Sequence, residues 1–204
     1  MKSSHRPKAV VFDIGNVLLD FTYAKTVERI KQQSRLTEPE LRVIFSQNDL
    51  FNRYESGQLS TPEYFSKIQE LTGYSGSLDE FAEFFGDIFT EVPPMIAWND
   101  ELQNRGIPTY ILSNTNEMSI RYIRKAFPFF SNFTGYAFSH EVRAMKPAAR
   151  IYERIEEISG LRGADLFYMD DRIENVEGAL ARGWQAVHHV QPLQTLEVAR
   201  SLGL

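Results

Sequence analysis

Three apolar runs end in polar groups: AVVFD (Ala9–Asp13), TYILS (Thr109–Ser113) and LFYMD (Leu166–Asp170). None shows the polar alternation of a half-exposed strand, so each reads as a strand covered on both faces. Trp184–Val190 reads as a fourth strand and Tyr136–Ser139 as a short fifth. Helical patterns with recognisable ends lie between them. Pro94–Arg105 is closed by Gly106, Glu174–Arg182 ends at Gly183, and Leu196–Leu202 ends the chain. Pro147 is placed to open a helix at its first turn, which Gly160 closes. Strand and helix in alternation predict an α/β chain with a parallel sheet between two helical layers.

One block breaks the alternation. From Tyr23 to Val92 the pattern is helical, with no convincing strand. Thr37, Ser60/Thr61 and Ser77 read as helix starts, with Pro39 and Pro62 just inside two of them. The block is too long for a simple crossover between two strands. We read residues 22–92 as an inserted helical cap, and residues 1–21 and 93–204 as a doubly wound, Rossmann-like core.

The 204 residues, 43% of them hydrophobic, suffice for such a core. A formal charge of −5 argues against nucleic acid or an anionic membrane as the main partner. There is no cysteine, which excludes disulfides, thiolate metal sites and cysteine nucleophiles and fits a cytoplasmic protein. The first seven residues read as a frayed arm, with no apolar signal-peptide core after them.

Ligands of open α/β sheets collect at the carboxyl ends of the strands. Asp13, Ser113-Asn114 and Asp170-Asp171 stand at three such ends, and Lys146 precedes Pro147 at a helix mouth. Carboxylates brought together repel, by about 4 kcal/mol for two charges ~4 Å apart at an effective dielectric of ~20. A divalent cation relieves that, and an all-oxygen site suits magnesium. Magnesium, a lysine, a hydroxyl and turn N–H groups form a phosphate-binding set, and a carboxylate nucleophile beside them suggests an aspartyl-phosphate intermediate.

Four segments, in order, resemble the motifs of the haloacid dehalogenase superfamily of hydrolases: VFDIGNV, ILSNTN, MKP and FYMDDRIENV. NRYESGQLSTPEYF (Asn52–Phe65) is similar to a cap segment of that superfamily's sugar-phosphate (glucose-1-phosphate) phosphatases and of the amino-terminal phosphatase domain of soluble epoxide hydrolase. The resemblance implies that Asp13 attacks phosphorus and binds magnesium, and that Gly15 offers the metal its carbonyl. It implies that Ser113 and Asn114 hold phosphate oxygens and that Lys146 bridges nucleophile and phosphate. Asp171 becomes the main acidic metal ligand, with Asp170 as a direct or water-mediated one. Asn175 is implied to orient that loop or a metal-bound water. The implied activity is magnesium-dependent hydrolysis of a small phosphomonoester, with a sugar phosphate as candidate. Two rivals stand beside it: a metal-independent 2-haloacid dehalogenase, and a phosphate-ligand binding protein whose catalysis has weakened.

Gly15 departs from the superfamily's common pattern, in which an aspartate there serves as general acid and then general base. The metal role needs only a carbonyl, but the proton role is lost. Such help is worth about 10²–10⁴-fold, within accelerations that reach ~10²¹ for phosphate monoesters. The sugar-phosphate relatives also carry glycine at this position. A good leaving group, a water, or a cap side chain among Arg53, Tyr54 and Glu55 could cover the loss.

His188 and His189 point to opposite faces of a strand and cannot chelate together. All four histidines read as structural or surface residues, with His140 the nearest to the strand ends. Phe81, Phe84, Phe85 and Phe89 recur at helical spacing and read as core. Arg121, Arg124 and Lys125 read as a solvated helix face.

Overall fold

The structure, a computed structural model, describes residues 5–46 and 48–204. In chain order the elements are β1 (Ala9–Phe12), β2 (Leu19–Phe21), α1 (Ala24–Lys31), α2 (Glu38–Ile44), α3 (Asp49–Glu55), α4 (Thr61–Thr72), α5 (Leu78–Gly86) and β3 (Phe89–Glu91). There follow α6 (Pro93–Asn104), β4 (Thr109–Ser113), α7 (Glu117–Ala126), β5 (Gly135–Phe138), α8 (Ser139–Val142), α9 (Ala149–Ser159), β6 (Leu166–Asp170), α10 (Ile173–Leu180), β7 (Gln185–His188) and α11 (Pro192–Ser201).

Five strands form one sheet in the order β5-β4-β1-β6-β7, every pair parallel. The apolar runs lack alternation because both faces are covered. Val10 and Phe12 of β1 pack with Met95, Trp98 and Leu102 of α6 and with Ile120 and Ile123 of α7. Ala9 and Val11 point the other way, into Ile151, Tyr152 and Ile155 of α9 and Ala179 of α10. The sheet is therefore doubly wound. The chain steps from β1 to β4 and β5 on one side, then returns to β6 and β7 on the other. The reversal falls beside β1, where a crevice opens at the strand ends.

Helices α1–α5 carry their own apolar cluster, built on Phe51, Tyr64, Phe81 and Phe85, with Met118 of α7 joining from below. The Tyr54 and Tyr64 rings stack 4.3 Å apart. Capping boxes open α4 at Ser60/Glu63 and α5 at Ser77/Glu80. No helix among the described residues is long and apolar enough to cross a membrane.

The structure departs from expectation in three places. β2 and β3 pair as an antiparallel ribbon, Leu19 opposite Glu91 and Phe21 opposite Phe89, where the helical block meets the sheet. Three residues per strand, mostly exposed, leave no pattern to read. Pro147 does not open a helix: its peptide with Lys146 is cis, in a turn closed by Ala148 N–H to the Met145 carbonyl (2.9 Å), and α9 starts two residues later. Met1–Ser4 of the expected arm lie outside the described residues, and from His5 the chain is tied down. His5 Nε2 lies 2.6 Å from Asp165 Oδ1, the His5 carbonyl accepts from Gln185, and Pro7 is buried.

Candidate active site

Parallel pairing of β1 with β4 and β6 brings Asp13, Ser113 and Asp170-Asp171 to one end of the sheet. Asp13 is 6% exposed, and its Oδ1 accepts from Ile14 N–H at 2.7 Å. It caps its turn and faces the crevice at once. Asn16 completes that turn at φ 54°, a left-handed conformation that asparagine tolerates. Its amide donates to Asp171 Oδ2 at 2.8 Å, which fixes the fourth-motif loop against the first.

Lys146 reaches this cluster because Asn114 clamps its backbone. The Asn114 amide accepts from Lys146 N–H (2.7 Å) and donates to the Lys146 carbonyl (3.1 Å). The side chain is 1% exposed, and Nζ lies 2.9 Å from Asp13 Oδ1, 2.6 Å from Asp170 Oδ2 and 3.1 Å from the Leu112 carbonyl. An ammonium has three N–H donors, so all of them are engaged.

The two adjacent acids have different surroundings. Asp170 is fully buried and accepts from Lys146 and the Tyr168 hydroxyl on Oδ2, and from Arg172 N–H (2.8 Å) and Asn175 Nδ2 (2.9 Å) on Oδ1. Four donors fill the acceptor positions of one carboxylate. Asp171 is half-buried and accepts only from Asn16 among the described residues. Tyr168 was not singled out in the sequence, although two positions along a strand puts it on the same face as Asp170. Asn175 braces Asp170, and its own carbonyl accepts from Tyr152.

Burial pushes the Asp13 carboxyl up to about 7; Lys146 pulls it down, while Asp170 and Asp171 push it up. Burial also opposes the charge on Asp170, yet Lys146, Tyr168 and the Arg172 N–H hold it below the usual carboxylate range. Burial disfavours the Lys146 ammonium too, but Asp13 and Asp170 together hold it above its ordinary value. Oxygens of Asp13, Asp170 and Asp171 lie within 4.8 Å of one another, with the Lys146 ammonium against two of these acids. The donor set is all oxygen, acidic and short of positive charge, and so fits a hard divalent cation.

A cleft of about 110 Å³ opens over these groups, with Gly15, Ser113, Asn114 and Asn175 in its walls, Phe21 of the ribbon at its side, and Tyr23 and Phe51 from the helical block. Ser113 Oγ makes only a long contact, 3.4 Å, to the Asn114 carbonyl. The N-cap of α7 is Asn116. His140 Nδ1 meets the Thr115 carbonyl at 3.0 Å, His189 is buried against Thr195, and His188 meets the Asp171 carbonyl; none joins the acidic cluster. Phe81, Phe84 and Phe85 are core, while Phe89 lies in the ribbon.

The three cap candidates separate cleanly. Arg53 is exposed. The Tyr54 hydroxyl meets Thr61 Oγ1 (2.8 Å) and Met118 N–H (3.3 Å) inside the helical cluster. Glu55, the last residue of α3, is 7% exposed and lines the cleft.

Two contacts hold α3 against the sheet. Ser139 Oγ donates to the Glu55 carbonyl at 2.6 Å. Gly57 sits at φ +70°, where a Cβ would lie 2.2 Å from the His140 carbonyl oxygen. Gly57→Ala should therefore cost at least ~2 kcal/mol, since the left-handed conformation alone costs about 1–2. Thermal unfolding should shift down by roughly 4–8 °C, and an unchanged midpoint would show that the seam yields easily.

A model of the haloacid dehalogenase-like hydrolases matches residues 7–183, and the chain belongs to that family. It is 25% identical over 198 residues to a sesquiterpene phosphatase of Aspergillus oryzae, covering 96% of each chain. It is 23% identical to a D-ribitol-5-phosphate phosphatase of Bacteroides thetaiotaomicron over 83% of this chain and 85% of that one. Among solved structures, a family enzyme from Bacteroides thetaiotaomicron in complex with magnesium and inorganic phosphate superposes with a TM-score of 0.78. The two are 21% identical, with 89% of this chain and 93% of that one covered.

Proposed function

We propose that the protein is a magnesium-dependent phosphomonoesterase. The observation that carries this reading is the charge imbalance at the strand ends, where Asp13, Asp170 and Asp171 converge and Lys146 stands against two of them. A dehalogenase working without metal on an anionic substrate has no use for such a gathering of acids. The phosphatase activities of the two curated relatives support the same choice. An intact Asp13–Lys146 pair argues against a protein that only binds phosphate ligands.

Asp13, the Gly15 carbonyl and Asp171 would hold the magnesium ion, which when bound neutralises phosphate charge and fixes the phosphoryl group for in-line attack. Asp170 stands apart from that set, because its acceptor positions are already filled by four donors. Its part is to fix Lys146 and the fourth-motif loop. Lys146 neutralises the transferring phosphoryl group. Ser113 Oγ and the backbone N–H groups of its turn hold phosphate oxygens, and the Asn114 side chain positions Lys146. The Asp13 oxygen attacks phosphorus, the alcohol leaves, and water then opens the aspartyl-phosphate to release orthophosphate. Residues 22–92 act as a cap that covers the reaction and selects the alcohol. The cleft suits a small metabolite, and the likeness of Asn52–Phe65 to sugar-phosphate phosphatases makes a sugar phosphate the working candidate.

A screen of phosphate esters in magnesium buffer tests this reading. Turnover should vanish with EDTA and return with added magnesium; EDTA-resistant release of halide from a 2-haloacid would reverse it. The two acids should also part. Asp171→Asn should raise the magnesium concentration for half-maximal activity about 10-fold or more, by loss of a ligand. Asp170→Asn should act mainly on thermal stability, because it unpairs Lys146. The opposite split would exchange their roles.

A further inference from the structure

The reaction proposed above needs a proton for the departing alcohol, and position 15 cannot supply it. A Cβ on Gly15 would lie 3.0 Å from the edge of the exposed Phe21 ring, so that ring packs directly over the side-chain position where an acid would begin. Gly15 and Phe21 share a small cavity of about 50 Å³ with Ser113, Asn114 and Glu55. Glu55 reaches it from the helical side, at the C-terminal end of α3.

We propose that Glu55 is the proton-transfer residue of this site, in place of the acid missing at Gly15. The residue is 7% exposed, its carboxylate lines the crevice with Asp13 and Lys146, and no donor among the described residues bonds it. The carboxylate is left open to the cleft and uncommitted to a structural bond, as a group that must exchange a proton with a bound ester requires. The C-terminal turn of a helix also favours its neutral form. Burial pushes the carboxyl up, Lys146 pulls it down, Asp13 pushes it up again and Arg172 pulls it down; the balance stands at about 8. Tyr23 and Tyr64 also face it, and Glu55 raises both phenols. Glu55 is thus protonated at neutral pH, as a general acid must be.

Its neighbours are poor substitutes. Lys146 has every N–H engaged. Arg172 is a permanent cation held to Glu174 at 2.5 Å. The Asn16 amide is committed to Asp171. Tyr23 is pushed well above its ordinary value by burial, too far for a group that must lose and regain a proton.

The step balances. As the Asp13 oxygen bonds to phosphorus and the P–O(ester) bond breaks, the Glu55 proton passes to the ester oxygen and the free alcohol departs. The Glu55 carboxylate then takes a proton from the water that attacks the aspartyl-phosphate. Orthophosphate leaves, and Asp13 and Glu55 are both restored.

The inference rests on the phosphatase reading and is tested by a ratio that is independent of absolute activity. Glu55→Gln keeps the side-chain volume and removes the acid. Its turnover of alkyl phosphates should fall about 10²–10³-fold, within the usual worth of general acid–base help. Turnover of p-nitrophenyl phosphate, whose leaving group needs no proton, should fall less than about 10-fold, so the leaving-group slope steepens. Glu55→Asp should recover part of the alkyl rate. Should either variant fail to fold, the other still reports the slope. A wild-type slope with an equal loss on every ester would give Glu55 a structural role only and overturn the proposal. Wild-type protein without turnover of any ester would instead sink the phosphatase reading.

Discussion

Asp13→Asn should fold and lose turnover of every phosphate ester by roughly 10⁴-fold or more, the scale seen when a nucleophile is removed. Acid-quenched wild-type protein should carry an alkali-labile phosphoryl group during turnover, and the variant none. The stability side follows first from the burial of Asp13 and then from the acids beside it. The folded-state value of Asp13, about 7, stands above its ordinary 3.8. Across that interval the folded protein binds more protons than the unfolded chain, so this group's contribution to stability declines as pH rises through it. Asparagine has no such decline. In EDTA, the variant's stability relative to wild type should therefore improve from pH 4 to pH 8, and added magnesium should help wild type more. Wild-type activity in Asp13→Asn would end the assignment of the nucleophile.

Much of this site was legible in the sequence because its parts stand at strand ends, and strands covered on both faces announce themselves as continuous apolar runs. TYILS and LFYMD lie where they were expected, residue for residue. The ribbon of β2 and β3 was not legible, because exposed three-residue strands have no pattern of their own. The different surroundings of Asp170 and Asp171 were hidden for a different reason. Adjacent strand-end acids look alike in sequence, and only partners distant in the chain, Lys146 and Asn16, tell them apart. Arg53, Tyr54 and Glu55 were likewise equal candidates until the helix phase of α3 sent one to solvent, one into the aromatic cluster and one to the crevice. Gly15 was legible as a missing acid, but what stands over it was not: the Phe21 ring, 3.0 Å from where a Cβ would lie, comes from a ribbon with no pattern of its own.

Lys146→Met should damage the protein twice, and pH separates the two effects. Methionine fills most of the same volume but leaves Asp13 and Asp170 without their shared cation. Breaking a buried pair by removing one partner costs about 3–5 kcal/mol, and turnover should fall by ~10³-fold or more with the loss of the group that neutralises the phosphoryl oxygens. In wild type Asp170 is held below its ordinary 3.8, so its contribution is present above that value and lost as pH falls through the folded one. Lys146 is held above its ordinary 10.5, so its contribution is present below that value and lost as pH rises through the folded one. The pair therefore stabilises wild type throughout the interval between them. In the variant the carboxyls lose the charge that pulled them down and hold protons to higher pH. The stability deficit should accordingly be small near pH 4, where those carboxyls are neutral, and largest near pH 8. Magnesium should restore part of it at pH 8, because a cation beside Asp13 replaces some of the missing charge. Arginine should not rescue activity, since the slot is 1% exposed and ends on the Leu112 carbonyl, with no room for a planar fork. Chemical denaturation at pH 4, 6 and 8, with and without magnesium, measures all of this. A deficit that stays flat across pH would mean that the lysine acts through its packing, and that the crevice is not organised around its charge.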